Sequence, residues 1–205
     1  MSQSLKQRMR AGLSANGFWS ELYSPAAAEI MAAAGYDSVM IDLEHGAGDL
    51  SDAVAMMRAM QGSGCTPLVR VPANDAGWIK RVLDAGAQGV RVPAVTSVAE
   101  AEAVVAACHY PPRGSRGMAA PIVRAAGYGA DWRGYVRDSG ESLLVICQIE
   151  SRAAVEAAAE ISAVEGVDMI FIGPFDLSAS LGHMVEPDHP EVRAAIDVVE
   201  RVARE

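Results

Sequence analysis

Short apolar runs and longer alanine-rich amphipathic runs alternate along this chain. Residues 38–43, SVMIDL, are apolar and rich in strand formers, and they break into the polar EHGAGD. Beyond them Leu50, Val54, Met57 and Met60 recur at helical spacing, which predicts a helix over 49–60. Asp49 is placed to cap that helix, with Asp52 three residues on in the manner of a capping box. The pattern then repeats. Strands are expected at 66–71, 89–95, 143–149 and 168–172, and helices at 75–85, 97–108, 151–164 and 190–204. A first strand at 17–22 and helix at 26–34 precede them, which makes six β-α units in all.

Strands this continuously apolar are buried on both faces, so the pattern implies a parallel sheet covered by helices. Six units suit a doubly wound sheet or most of an eight-unit barrel. Periodicity alone does not choose, and the placement of the polar residues favours the barrel. They follow the C-terminal ends of several different strands, as in a barrel, whereas an open sheet gathers them at one switch point. The expected fold is therefore α/β of the TIM (β/α)8-barrel type, lacking the last two β-α units, as one domain over 1–205. No GxGxxG follows a strand and there is no phosphate-binding loop of the Walker type. The one long interruption, 110–141, is rich in Gly, Arg and Pro. A loop of that length in a compact domain is expected to be functional.

Composition narrows the partners. A net charge of −9 over 205 residues argues against nucleic acid or an anionic membrane. Cys65, Cys108 and Cys147 are odd in number and form no CxxC pair, so they read as reduced thiols of a cytoplasmic protein, with Cys147 in the core. The N-terminal MSQSLKQRMRAG lacks the apolar stretch of a secretory signal. No run approaches the roughly 18 apolar residues that span a bilayer.

Chemistry concentrates at strand ends. Glu150 ends LLVICQIE, and Asp176 comes just after DMIFIGP. Neighbouring strands lie about 4.8 Å apart, so the two carboxylates can reach one point, as hard oxygen ligands of Mg²⁺ or Mn²⁺. Both could instead cap the helix or turn that follows. Gln148 shares the face of Glu150 two residues back and could bond a ligand, or merely a backbone group. Arg70 near the end of PLVRV would be costly in a buried strand without an anion. It could fork onto a substrate carboxylate or enolate oxygen, or pair with Asp42 or Glu44. His45, in the first loop position after IDLE, is placed for general base work, though a lone histidine is more often structural. Asp84 could orient it, or be an exposed helix residue. His109, His183 and His189 read as structural or solvated. No nucleophile elbow or HExxH motif occurs.

IDLEHG, PLVRVP, KRVLDAGAQGVRVPAV, YPPRGSRG, QIES and above all GPFDLSASLG, in this order and spacing, resemble the HpcH/HpaI aldolase family. These are metal-dependent aldolases of 4-hydroxy-2-oxo acids, to which macrophomate synthase is related. The resemblance implies a TIM barrel and a divalent cation, Mg, Mn or Co, bound by Glu150 and Asp176. It implies catalytic roles for His45, for Asp84 as the support of that histidine, and for Arg70. Gln148 would contact the substrate, and Gly173, Pro174, Phe175 and Asp176 would surround its carboxylate. A lysine Schiff base is not implied, since Lys80, the only lysine beyond the N-terminal segment, lies in a helix. The partners implied are a small 2-oxo acid and an aldehyde, in a homo-oligomer. The family pattern also implies two further β-α units. Without them the first and sixth strands would keep unpaired edges, which favours self-association. Two other readings stand beside the aldolase: an inactive barrel remnant, and an acyl-CoA lyase like the citrate lyase β subunit.

Overall fold

A computed structural model describes residues 3–204. Its six strands are β1 (Gly17–Ser20), β2 (Ser38–Asp42), β3 (Thr66–Arg70), β4 (Gly89–Val92), β5 (Leu144–Ile149) and β6 (Met169–Ile172). They pair in sequence order, every pair parallel. The main helices between them are α2 (Pro25–Ala33), α3 (Leu50–Ala59), α4 (Ala76–Ala85) and α5 (Val98–Cys108). The expected capping box at Asp49 and Asp52 is present at the start of α3. Ser24, Asp75 and Ser97 cap their helices in the same way, each accepting a bond from a backbone N–H of the first turn.

Alternation along the strands builds two cores. Val39, Ile41, Val69, Val90, Val92, Val145, Cys147 and Ile149 point outward and pack beneath the helices. Met40, Leu68, Leu144 and Ile146 point the other way into a smaller inner core, joined by Trp19 and Met169. The sheet curls around that inner core, because the Trp19 ring of β1 lies 6.0 Å from the Phe171 ring of β6. Among the described residues β1 and β6 do not pair with each other. The fold is thus α/β, with six parallel strands curled into part of a barrel. All three cysteines are buried free thiols. Burial pushes Cys65 up to about 11 and Cys147 up to about 12, so neither is a thiolate at neutral pH. No helix among the described residues is long and apolar enough to cross a membrane.

Two expectations need correction, and two features need adding. The strand expected to run to residue 95 stops at Val92, because Ala94 takes φ 54° and turns its N–H onto Glu150 at 2.7 Å. The helix expected over 151–164 is divided at Ala157 into α7 (Arg152–Glu156) and α8 (Ala158–Ser162). An unexpected helix α1 (Leu5–Arg10) precedes β1, with Leu5 and Lys6 buried. Lys6 Nζ donates to the Leu143 carbonyl and to Asp168 Oδ2, each at 2.8 Å.

The second addition concerns the long interruption. It contains α6 (Trp132–Ser142) and joins the end of α5 to the start of β5. A helix after a parallel strand runs back to the N-terminal edge of the sheet, so this segment lies at that edge, away from the strand ends that carry the polar cluster. Arg124 fixes it there by donating to the Ala85 carbonyl at 2.8 Å, at the end of α4. After β6 come α9 (Pro174–Ser180) and α10 (Pro190–Arg204).

Candidate active site

The inward positions change from apolar to polar toward the C-terminal ends of the strands. Asp42, Arg70 and Arg91 are register partners across β2, β3 and β4. All three are buried, as is Gln148 on β5. The ion pair offered by the sequence is present. Arg70 forks onto Asp42 through Nε at 2.8 Å and through Nη2. Its Nη1 lies 2.7 Å from Glu44 Oε2. Burial alone would raise the Asp42 carboxyl, but the Arg70 guanidinium and the Glu44 N–H hold it below the usual range. Burial raises the Glu44 carboxyl, and the Glu150 and Asp42 charges add to that against Arg70 and His45. These groups therefore share one electrostatic neighbourhood.

Glu150 stands one residue beyond β5. Its Oε1 accepts the Ala94 N–H, and its Oε2 accepts from Gln148 Nε2. Holding Ala94 at positive φ costs roughly 1–2 kcal/mol, and its bond to Glu150 is what that conformation provides. Gly173, directly after β6, makes room for the carboxylate. A Cβ there would lie 2.7 Å from Glu150 Oε2 and 3.2 Å from Gln148 Nε2. Glu150 thus leans across the end of β6, toward the start of α9. Pro174 opens that helix, Phe175 is largely exposed, and Asp176 is an exposed residue of its first turn. The structure therefore brings Arg70, Gln148, Glu150 and Gly173 together, with Asp176 on the helix that follows.

His45 projects into solvent with its side chain 59% exposed, and its Nε2 lies 3.8 Å from Glu44 Oε1. Asp84 is not beside it in this chain. It sits in the last turn of α4, at the opposite edge of the sheet, and accepts from the buried Arg116 at 2.7 Å. Sequence spacing could not exclude an Asp84–His45 contact. The direction of α4 does, within one chain.

Sequence reasoning missed one residue. Arg91 of β4 is 2% exposed. Its Nε donates to Gln148 Oε1 at 2.6 Å. Its Cζ lies 3.2 Å from the Phe171 ring centroid and 4.5 Å from that of Trp19. The signal is there to be found, because an arginine inside an apolar strand marks GVRVPAV just as it marks PLVRVP.

A second cluster, His183, Glu186 and His189, has potential ligand atoms within 4.8 Å of one another. The two imidazoles stack at 3.4 Å and 16°, so their in-plane lone pairs run side by side and do not converge. Glu191 also engages both rings, His183 Nε2 at 2.8 Å and His189 Nδ1 through its N–H at 3.3 Å. These contacts tie the loop to the start of α10.

Comparison with known proteins gives this arrangement a context. Residues 15–205 match the sequence pattern of the HpcH/HpaI aldolase/citrate lyase family. A hydroxypyruvate/pyruvate aldolase of Agrobacterium fabrum is 42% identical over 194 residues, which cover 94% of this chain and 72% of the relative. A pyruvate aldolase of Rhizobium etli is 44% identical, over 94% of this chain and 75% of its own length. The crystal structure of an HpcH/HpaI aldolase/citrate lyase family protein from Burkholderia cenocepacia superposes with a TM-score of 0.93 at 39% identity, covering 98% of this chain and 80% of that one. The chain is an enzyme of the carbon–carbon lyase class, as its aldolase relatives are. It belongs to the HpcH/HpaI aldolase/citrate lyase family.

Proposed function

We propose that this protein is a metal-dependent aldolase on a (β/α)8-barrel plan, acting on 4-hydroxy-2-oxo acids to release or consume pyruvate, or a related 2-oxo acid, and an aldehyde. Sequential parallel strands, the helices between them and the meeting of Trp19 with Phe171 support the barrel plan. The names of the relatives support the substrate class.

The donor set suits a divalent cation. Asp42, Glu44, Glu150 and Asp176 bring four carboxylates to these strand ends against the two guanidiniums of Arg70 and Arg91, an excess of two negative charges. The observation that carries the reading is the lean of Glu150 over Gly173, which no other residue type permits without displacing the carboxylate. Glu150 and Asp176 would hold Mg²⁺, Mn²⁺ or Co²⁺, which supplies Lewis-acid polarisation of a 2-oxo acid. Arg70, fixed by Asp42 and Glu44, presents a charged fork to the oxygen on which negative charge develops. Gln148 orients Glu150 and borders the substrate. His45, free in solvent beside Glu44, moves a proton at the hydroxyl of the aldehyde-derived half.

Calorimetric titration of the chelated protein with Mn²⁺ tests this reading, coupled to an assay of pyruvate release. The wild type is expected to bind one ion and to lose activity when it is chelated. Equal affinity in the doubly substituted Glu150→Ala/Asp176→Ala protein would refute the assignment. A finer test is Gly173→Ala, whose Cβ must push Glu150 aside. Disturbing the alignment of a ligand typically costs 10–100-fold in affinity, so a loss of at least about tenfold is expected. Unchanged affinity would show that the lean is immaterial.

A further inference from the structure

Lysine and arginine side chains buried elsewhere in this protein are matched by acids. Arg70 has Asp42 and Glu44, Arg116 has Asp84, and Lys6 has Asp168. Arg91 is different. Among the described residues no carboxylate lies within ion-pair distance of it, and its Nη1 has no partner. Its other neighbours are the faces of Phe171 and Trp19. Burial and the adjacent Arg70 charge lower its pKa to about 9, which leaves it charged at neutral pH. A buried cation with no carboxylate paired to it is costly, and the cation–π contacts with the two aromatic faces offset only part of that cost. A position that breaks the local rule in this way is expected to serve function.

The Gln148 amide shows what Arg91 provides. Its Oε1 faces Arg91 Nε and its Nε2 faces Glu150 Oε2. Turning the amide over would set its N–H groups against the guanidinium and its oxygen against the carboxylate. Arginine has donors only, so it accepts one orientation of the amide. We propose that Arg91 is a positioning residue: it locks the Gln148 amide so that its N–H holds Glu150 in the orientation that receives the metal. This rests on the metal reading given above. The chain of contacts runs from β4 through β5 to the end of β6, and Gly173 leaves the space in which it ends.

A double-mutant cycle separates positioning from charge. Mn²⁺ affinity is measured calorimetrically for wild type, Arg91→Met, Gln148→Met and the double variant. Loss of a residue that orients a ligand costs about tenfold or more in affinity. Gln148→Met is therefore expected to weaken Mn²⁺ binding about tenfold in the wild type, and by less than about twofold once Arg91 is gone. Removing the arginine charge affects both arms equally and cancels in the coupling. Additive effects would overturn the proposal.

One further readout does not need the metal. In the chelated protein the Gln148 side-chain N–H that donates to Glu150 should be protected against exchange with water, and Arg91→Met should remove that protection. Protection that persists in that variant would overturn the proposal even where Mn²⁺ binding itself had failed.

Discussion

Arg70→Ala is expected to slow pyruvate release by about 10²–10³-fold, the usual consequence of deleting one preorganised donor to a developing oxyanion. The side chain is buried at the end of β3 and held by two carboxylates, so it cannot swing away. Deletion also leaves Asp42 buried, ionised and without its guanidinium, at a cost of roughly 3–5 kcal/mol in stability. Rates should therefore be compared under conditions in which circular dichroism shows both proteins folded. Arg70→Lys keeps a charge but loses the fork onto Asp42, and should recover stability more than rate. Mn²⁺ affinity should change little, because Arg70 is not a ligand. An alanine variant that turns over within twofold of wild type would make Arg70 purely structural.

The second large effect lies at the other edge of the sheet. Asp168→Ala is expected to destabilise the fold by roughly 3–5 kcal/mol, since it leaves the buried Lys6 ammonium without its carboxylate. Lys6 and Asp168 have side chains only 3% and 6% exposed. Asp168 also accepts the Val145 N–H at 3.1 Å and Arg10 at 3.2 Å. Replacing the pair together, as Lys6→Met/Asp168→Leu, should recover much of the loss, because apolar groups of similar volume need no partner. Urea denaturation followed by circular dichroism gives the comparison. A single variant within 1 kcal/mol of wild type would show that α1 is not anchored by this contact.

Strands and helices of this protein are written in the periodicity of its sequence, because each residue's side of the sheet depends only on its neighbours along the chain. Arg70 is legible for the same reason, as a charge at an inward position of an apolar strand. Arg91 carries the same mark. Order alone also places the 110–141 segment at the N-terminal edge of the sheet, since it follows a helix and precedes a strand.

Other features depend on contacts between residues far apart in sequence. Asp84 and Arg116 meet because α4 and α5 both end at the N-terminal edge of the sheet, which separates Asp84 from His45 by the length of the strands. The bond between Arg91 and Gln148 spans 57 positions, and nothing in either local sequence names the other. In the sequence Gly173 is marked only by the family resemblance, as part of the surround of a substrate carboxylate. Only the pairing of β5 with β6 makes it the space into which Glu150 leans. Local patterning determined which side chains face inward and which strand ends are polar. Strand register, helix direction and the curl that brings Trp19 to Phe171 decided which of those side chains touch. A chain encodes its own periodicity locally, but a contact between distant elements exists only when both have been placed.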